Sequence, residues 1–161
     1  MPRPSKPRAF VRREAGKAWQ IPLDTRELEA VLSMMCAACG VTSSVELTLA
    51  DDAVISNANE AFLGCVGPTN ILSFPAAGLP RQTREAPPPA ALLLSLDTMQ
   101  RECMLYRQNA TEHTLRLLAH GMTHLAGLDH GDSMEEMEKM ALSAATAVLA
   151  TLRQEDGPPA A

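Results

Sequence analysis

Three of the four histidines in this chain fall within eleven residues, HGMTHLAGLDH, from His120 to His130. The first two are four apart, and side chains at i and i+4 lie one above the other on a helix, so two imidazoles reach a single ion. Gly127 supplies the left-handed residue that ends a helix and lets the chain turn back to present His130 as a third nitrogen ligand. Three neutral imidazoles with the fourth position open form the layout of a catalytic zinc site, expected here at one ion per chain. Such an ion acidifies the water in its fourth position and polarises a nearby phosphoryl or carbonyl oxygen. His113 stands seven residues before His120, about 10.5 Å along a helix axis, which is too far to share the ion. It reads as a groove-lining or surface residue.

The spacing H-x-x-x-H-x-x-G-x-x-H resembles that of the metzincin metallopeptidases, in which a glutamate follows the first histidine as general base. Gly121 occupies that position here and cannot accept a proton, so a metallopeptidase is only the third reading. The whole string resembles more closely the YbeY family of bacterial rRNA-maturation endoribonucleases, whose signature is H-G-x-L-H-L-x-G-Y-D-H. His120, Gly121, His124, Leu125, Gly127, Asp129 and His130 match it, with Thr123 and Leu128 in place of Leu and Tyr. A second family stretch, N-x-x-Y-R-x-x-x-x-P-T-[DN]-V-L-S-F-P, reads NEAFLGCVGPTNILSFP here. It matches at Asn59, Pro68, Thr69, Asn70, Leu72, Ser73, Phe74 and Pro75. Both stretches lie within a resemblance that covers roughly residues 45 to 150.

The resemblance implies a zinc-dependent, single-strand-specific endoribonuclease in rRNA maturation and ribosome quality control. Its partners would be rRNA, ribosomal particles and ribosome-associated proteins, in the cytoplasm and away from membranes. The ligands would be His120, His124 and His130, with hydroxide on the metal attacking the phosphodiester. Asp129, beside the third ligand, either orients an imidazole by hydrogen bonding or forms a turn. Thr69, Asn70 and Ser73 are the polar edge of a strand and suggest a cleft wall. The chain departs from the family at two places. Leu63 stands where the family has an arginine held to contact the RNA phosphate, and leucine offers neither charge nor donors. Ala90-Ala91 replaces the Gly-Asp that opens the next strand. Both losses fall in one groove, so a weakened nuclease is expected. The alternative is a non-catalytic ribosome-associated protein that retains its metal. Arg81, Arg84 and Arg116 are either substitutes for the missing cation or ordinary surface arginines; Arg116 is one turn before His120.

The elements that position these residues follow from periodicity. Leu115, Leu118, Met122 and Leu125 form one apolar stripe, which predicts an amphipathic helix over about 112–126 with His120 and His124 on the face opposite. Asp24 with Glu27, then Leu28, Val31, Leu32 and Met35, then Gly40, read as a capped helix of about fifteen residues. Cys36 and Cys39 continue its apolar series and read as core rather than as half of a zinc site. Val45, Leu47 and Leu49 alternate with polar residues as a half-buried strand. Asp51 or Asp52 caps a helix ending near Gly64. The centre of PTNILSFP reads as a buried strand, residues 75–90 as a Pro- and Ala-rich loop, and Leu92–Leu96 as a short strand. Asp97 is expected to cap a helix running to about Arg107. Ser133 and Glu136 predict a capping box for a last helix with Met134, Met137, Ala141, Ala144, Val148 and Leu152 on its core face. Trp19–Leu23 reads as the first strand. Strands mixed with helices give an α/β (α+β) domain, a small mixed sheet packed with helices around a central metal-binding helix.

The 161 residues suit one domain, taken as 18–155. No apolar run spans a membrane, and five aromatics among 161 residues are too few for a base-stacking platform. Residues 1–17 hold six basic side chains against one acidic, while the remainder holds eight against eighteen. With three prolines among the first seven residues, they read as a disordered basic arm with weak attraction for phosphate or simply as a solvated tail. The acidic balance elsewhere argues against broad nucleic-acid affinity. Residues 156–161 read as a disordered tail.

Overall fold

The computed structural model describes residues 7–14, 21–76, 88–129 and 131–157. Its sheet has four strands in the order β1 (Ala9–Glu14), β2 (Val45–Ala50), β4 (Ala90–Ser95), β3 (Ile71–Phe74). β1, β2 and β4 run parallel, and β3 pairs antiparallel with β4 at the edge. Five helices complete the domain: α1 (Thr25–Cys39), α2 (Asp52–Leu63), α3 (Leu96–Tyr106), α4 (Ala110–Leu125) and α5 (Asp132–Glu155). The expected α/β architecture with a histidine helix at its centre is therefore present. α4 packs on β3 and β4, and touches α1, α3 and α5.

Local sequence accounts for most boundaries. Asp24 and Glu27 close a reciprocal capping box on α1, and Gly40 ends the helix at φ 68°. Asp51 caps α2 through the amide of Val54, and Gly64 closes it at φ 65°. Each cap is worth about 1 kcal/mol. Leu28, Val31, Leu32, Met35 and Cys39 of α1 meet Val45, Leu47, Leu49, Leu92 and Leu94 of the two central strands in one core. Cys36 and Cys39 belong to this packing, and burial pushes both thiols up to about 11.

Several expectations are corrected. The arm expected to be disordered over 1–17 forms strand β1 across Ala9–Glu14, in register with all of β2. Ala9 and Val11 pack on the core, and Arg12 pairs with Glu14 at 2.7 Å and Glu46 at 3.6 Å. The alternation of Ala9, Val11 and Arg13 with Phe10, Arg12 and Glu14 is too weak to announce a strand without the β2 edge that pairs it. The first strand expected at Trp19–Leu23 is not formed over Ile21–Leu23, where irregular chain buries Ile21 and Leu23; Trp19 and Gln20 lie outside the described residues. β3 is an edge strand with only Leu72 buried, not a buried strand. Ser95, not Asp97, caps α3, because β4 runs directly into the helix at Leu96. α5 starts at Asp132 behind Gly131 with no side-chain cap, so the Ser133–Glu136 box is not made. Its fully buried face is Met134, Ala141, Ala145 and Leu149, because this 24-residue helix packs on both α1 and α4 and its stripe drifts between them. Of the expected tail, Asp156 is tied to Arg26 at 3.1 Å, and residues 158–161 lie outside the described set.

Candidate metal centre and cleft

α4 carries His120 and His124 on the one part of its surface that the core leaves partly open. Asn109 caps the helix through the amide of Glu112. At the other end Gly127 adopts φ 86°, donates to the His124 carbonyl at 3.0 Å, and lets Leu128 N–H reach the Thr123 carbonyl at 3.2 Å. That glycine-closed turn has a second effect. It swings the Leu128 carbonyl back over the helix, 3.1 Å from His124 Nδ1. The Nδ1 of His120 lies 3.2 Å from a carboxylate oxygen of Glu138, which comes from α5.

These partners decide the tautomers. A carbonyl only accepts, so His124 carries its proton on Nδ1; the Glu138 carboxylate imposes the same on His120. The two Nε2 atoms are then lone-pair donors, and they face each other at 3.3 Å with the rings nearly perpendicular. Two lone pairs at that distance repel unless a cation lies between them, either a proton or a metal ion. Two nitrogen ligands at about 2.0–2.1 Å from a tetrahedral ion sit about 3.3–3.4 Å apart. The pair fits such an ion. His130 lies outside the described residues, and among the described residues no third His, Cys, Asp or Glu completes the set.

The two rings open onto a cleft of about 440 Å³, walled by Leu63 from the end of α2 and by Thr69, Asn70, Ile71, Leu72, Ser73 and Pro75 along β3. Leu63 is 57% exposed, so it belongs to the cleft wall and not to the core. Ser73 Oγ donates to the Gly121 carbonyl at 3.0 Å and ties β3 to the histidine helix. Asn70 is committed elsewhere: its amide nitrogen donates to Glu102 at 3.0 Å, and its oxygen accepts from the Ile71 amide at 2.7 Å. Thr69 is the wall residue whose hydroxyl has no partner among the described residues. Ala91 sits within the sheet opposite Phe74, and Ala90 is buried.

Gly121 explains itself through space. A Cβ there would come within 2.8 Å of Ile71 Cδ1 and 2.9 Å of Leu92 Cδ2. Position 121 points into the sheet, so it could not hold a general base over the cleft.

Other expected site residues fall elsewhere. Arg116 directs its guanidinium to Gln108 at 2.6 Å and is absent from the cleft wall, because long helical side chains lean toward the helix N-terminus and away from His120. His113 is buried, not groove-lining or on the surface; it bonds Glu102 at 2.8 Å because α3 covers that side of α4. Asp129 is exposed. Arg81 and Arg84 lie outside the described residues. Glu138 escaped the sequence reasoning, although an acid on the apolar face of the last helix was a usable signal.

Fold and site together define a small α/β protein with paired imidazoles at the edge of its sheet. The family model described as "Endoribonuclease YbeY" matches residues 16–152. Proteins named endoribonuclease YbeY are similar over most of their length. That of Nitratidesulfovibrio vulgaris is 46% identical, covering 81% of this chain and 90% of its own. That of Oleidesulfovibrio alaskensis is 40% identical, covering 81% and 88%. The solution structure of TM1509 from Thermotoga maritima superposes with a TM-score of 0.56 at 19% identity, over 94% of this chain and 99% of that one, and so shares its fold. The chain belongs to the endoribonuclease YbeY family. No helix among the described residues is long and apolar enough to cross a membrane.

Proposed function

We propose that this protein is a zinc-dependent endoribonuclease that cleaves single-stranded segments of ribosomal RNA during its maturation, in the cytoplasm. The observation that carries the metal is the Nε2 pair of His120 and His124, held 3.3 Å apart with both Nδ1 atoms engaged behind them. His130 would be the third ligand. The names of the relatives support the reaction, and the fit of the paired nitrogens to a tetrahedral ion supports the cofactor.

When bound, such an ion supplies Lewis acidity toward a phosphate oxygen and lowers the pKa of a coordinated water. The protein's own part is to hold the two imidazoles in one tautomer on a rigid helix and to shape the wall opposite them. Ser73 spends its hydroxyl on fixing β3 to α4, so the distance between wall and histidines is set by that bond. Thr69 offers a hydroxyl to the bound strand from this wall. Gly121 contributes no base. Leu63 contributes no charge, so the wall does little to stabilise a developing negative phosphate.

A second reading is a metal-retaining protein that binds ribosomal particles without cutting. Leu63 on the cleft wall is the observation that favours it. Both are tested on one preparation. Elemental analysis of protein purified without added metal is expected to give about one zinc per chain, and His124→Ala to lose most of it. Incubation with single-stranded rRNA fragments is expected to give slow cleavage that a chelator abolishes. Stoichiometric zinc without cleavage selects the binding reading; metal retained in full by each single histidine variant overturns both.

A further inference from the structure

We propose that Glu138 is the positioning residue of the metal centre, the carboxylate that sets the orientation and tautomer of His120. This inference rests on the metal reading above.

Glu138 occupies an odd place. The buried face of α5 runs through Met134, Ala141, Ala145 and Leu149. Position 138 falls on that same face, one turn after Met134 and one before Ala141. Helical periodicity calls for an apolar residue there. A carboxylate facing the interior carries a desolvation cost unless a partner compensates it. Its side chain keeps only 26% of its exposure, and among the described residues no lysine or arginine pairs with it. Its partner is His120 Nδ1, at 3.2 Å.

The consequences follow from imidazole chemistry. A carboxylate behind Nδ1 keeps the proton on that nitrogen and leaves Nε2 to present its lone pair to an ion. It also fixes the plane of the ring, and losing such a partner typically weakens metal binding about 10- to 100-fold. His124 gets the same service from a backbone carbonyl, delivered by the Gly127 turn of its own helix. The two ligands are therefore anchored differently: one by α4 itself, the other by a side chain from α5.

Glu138→Gln and Glu138→Met separate positioning from packing. Methionine completes the apolar stripe, so the metal-free variant is expected to melt at or above the wild-type temperature. Both variants are expected to bind zinc about 10- to 100-fold more weakly than wild type, measured by competition with a chromophoric chelator. Glutamine is expected to suffer less, because its amide oxygen still accepts from Nδ1. In the metal-free protein, the ¹⁵N shifts of His120 are expected to show the Nδ1–H tautomer, with that preference lost in Glu138→Met. Wild-type zinc affinity in both variants, or an Nε2–H tautomer in the wild type, would overturn the proposal. Failure of wild-type protein to bind zinc would overturn the metal reading itself, and this inference with it.

Discussion

Leu63 and Gly121 show two ways in which a single residue limits the chemistry. Gly121 is fixed by packing, since the smallest side chain would collide with Ile71 and Leu92 across the α4–sheet contact. Leu63 is not fixed by packing, for it is more than half exposed at the end of α2 and beside the histidines. Replacing it therefore changes charge without burying any. Leu63→Arg places a guanidinium on the cleft wall, where it can meet a phosphate oxygen with paired donors. A cation aimed at developing charge is worth about 10²-fold or more in rate when its geometry is right. Cleavage by Leu63→Arg is expected to be faster on the same RNA, with melting temperature and zinc content unchanged. Equal rates for variant and wild type would show that the wall does not meet the scissile phosphate.

The elements are tied together by a few polar junctions, of which Asp52 is the clearest. It lies in the first turn of α2 and accepts from Ser95 and Thr98 at the start of α3, at 2.8 and 2.7 Å, while Arg101 sits 2.7 Å away. Burial works against the charged carboxylate, but the hydrogen bonds from Arg101, Thr98 and Ser95 outweigh it and hold its pKa below the ordinary value. A carboxylate with a depressed folded-state pKa stabilises the protein above its unfolded pKa of about 4, and that contribution fades as pH falls through the folded value. Asp52→Asn is expected to be less stable at neutral pH and to lose less on acidification below about pH 4. Urea midpoints taken from pH 6 down to pH 2 read this directly. Parallel curves for the two proteins would deny the junction its electrostatic role.

For the molecule as a whole, the sheet has two edges with different tasks. The β3 edge borders the cleft, and Asn70 covers its first amide by accepting from Ile71. The β1 edge closes the far side over β2, and its arginine charge is partly spent on Glu14 and Glu46. Deleting residues 1–14 would leave one edge of β2 unpaired along its length and remove a ladder whose bonds each contribute about 1 kcal/mol net. The melting temperature is expected to fall by about 2–4 °C for every kcal/mol lost. An unchanged transition in differential scanning calorimetry would mean that β1 adds nothing to the fold.

What the sequence determined by itself is the set of features encoded within a few residues. Asp24, Glu27 and Gly40 bound α1, the Asp51–Asp52 pair and Gly64 bound α2 to within a residue, and the i, i+4 histidines followed by Gly127 pointed to a shared site, because caps, periodicity and left-handed turns are local physics. Tertiary structure decided the rest. β1 exists only because β2 offers it an unpaired edge. Arg116 turns from the site because of a neighbour on another turn of chain, Gln108. Asp129 stands beside the third histidine in sequence, where it reads equally as a ring-orienting or a turn-forming residue. Yet the carboxylate at His120 is Glu138, eighteen residues away, brought there by the packing of α5 on α4. Spacing along the chain names the residues that could bind an ion, but only the crossing of helices chooses what stands behind them.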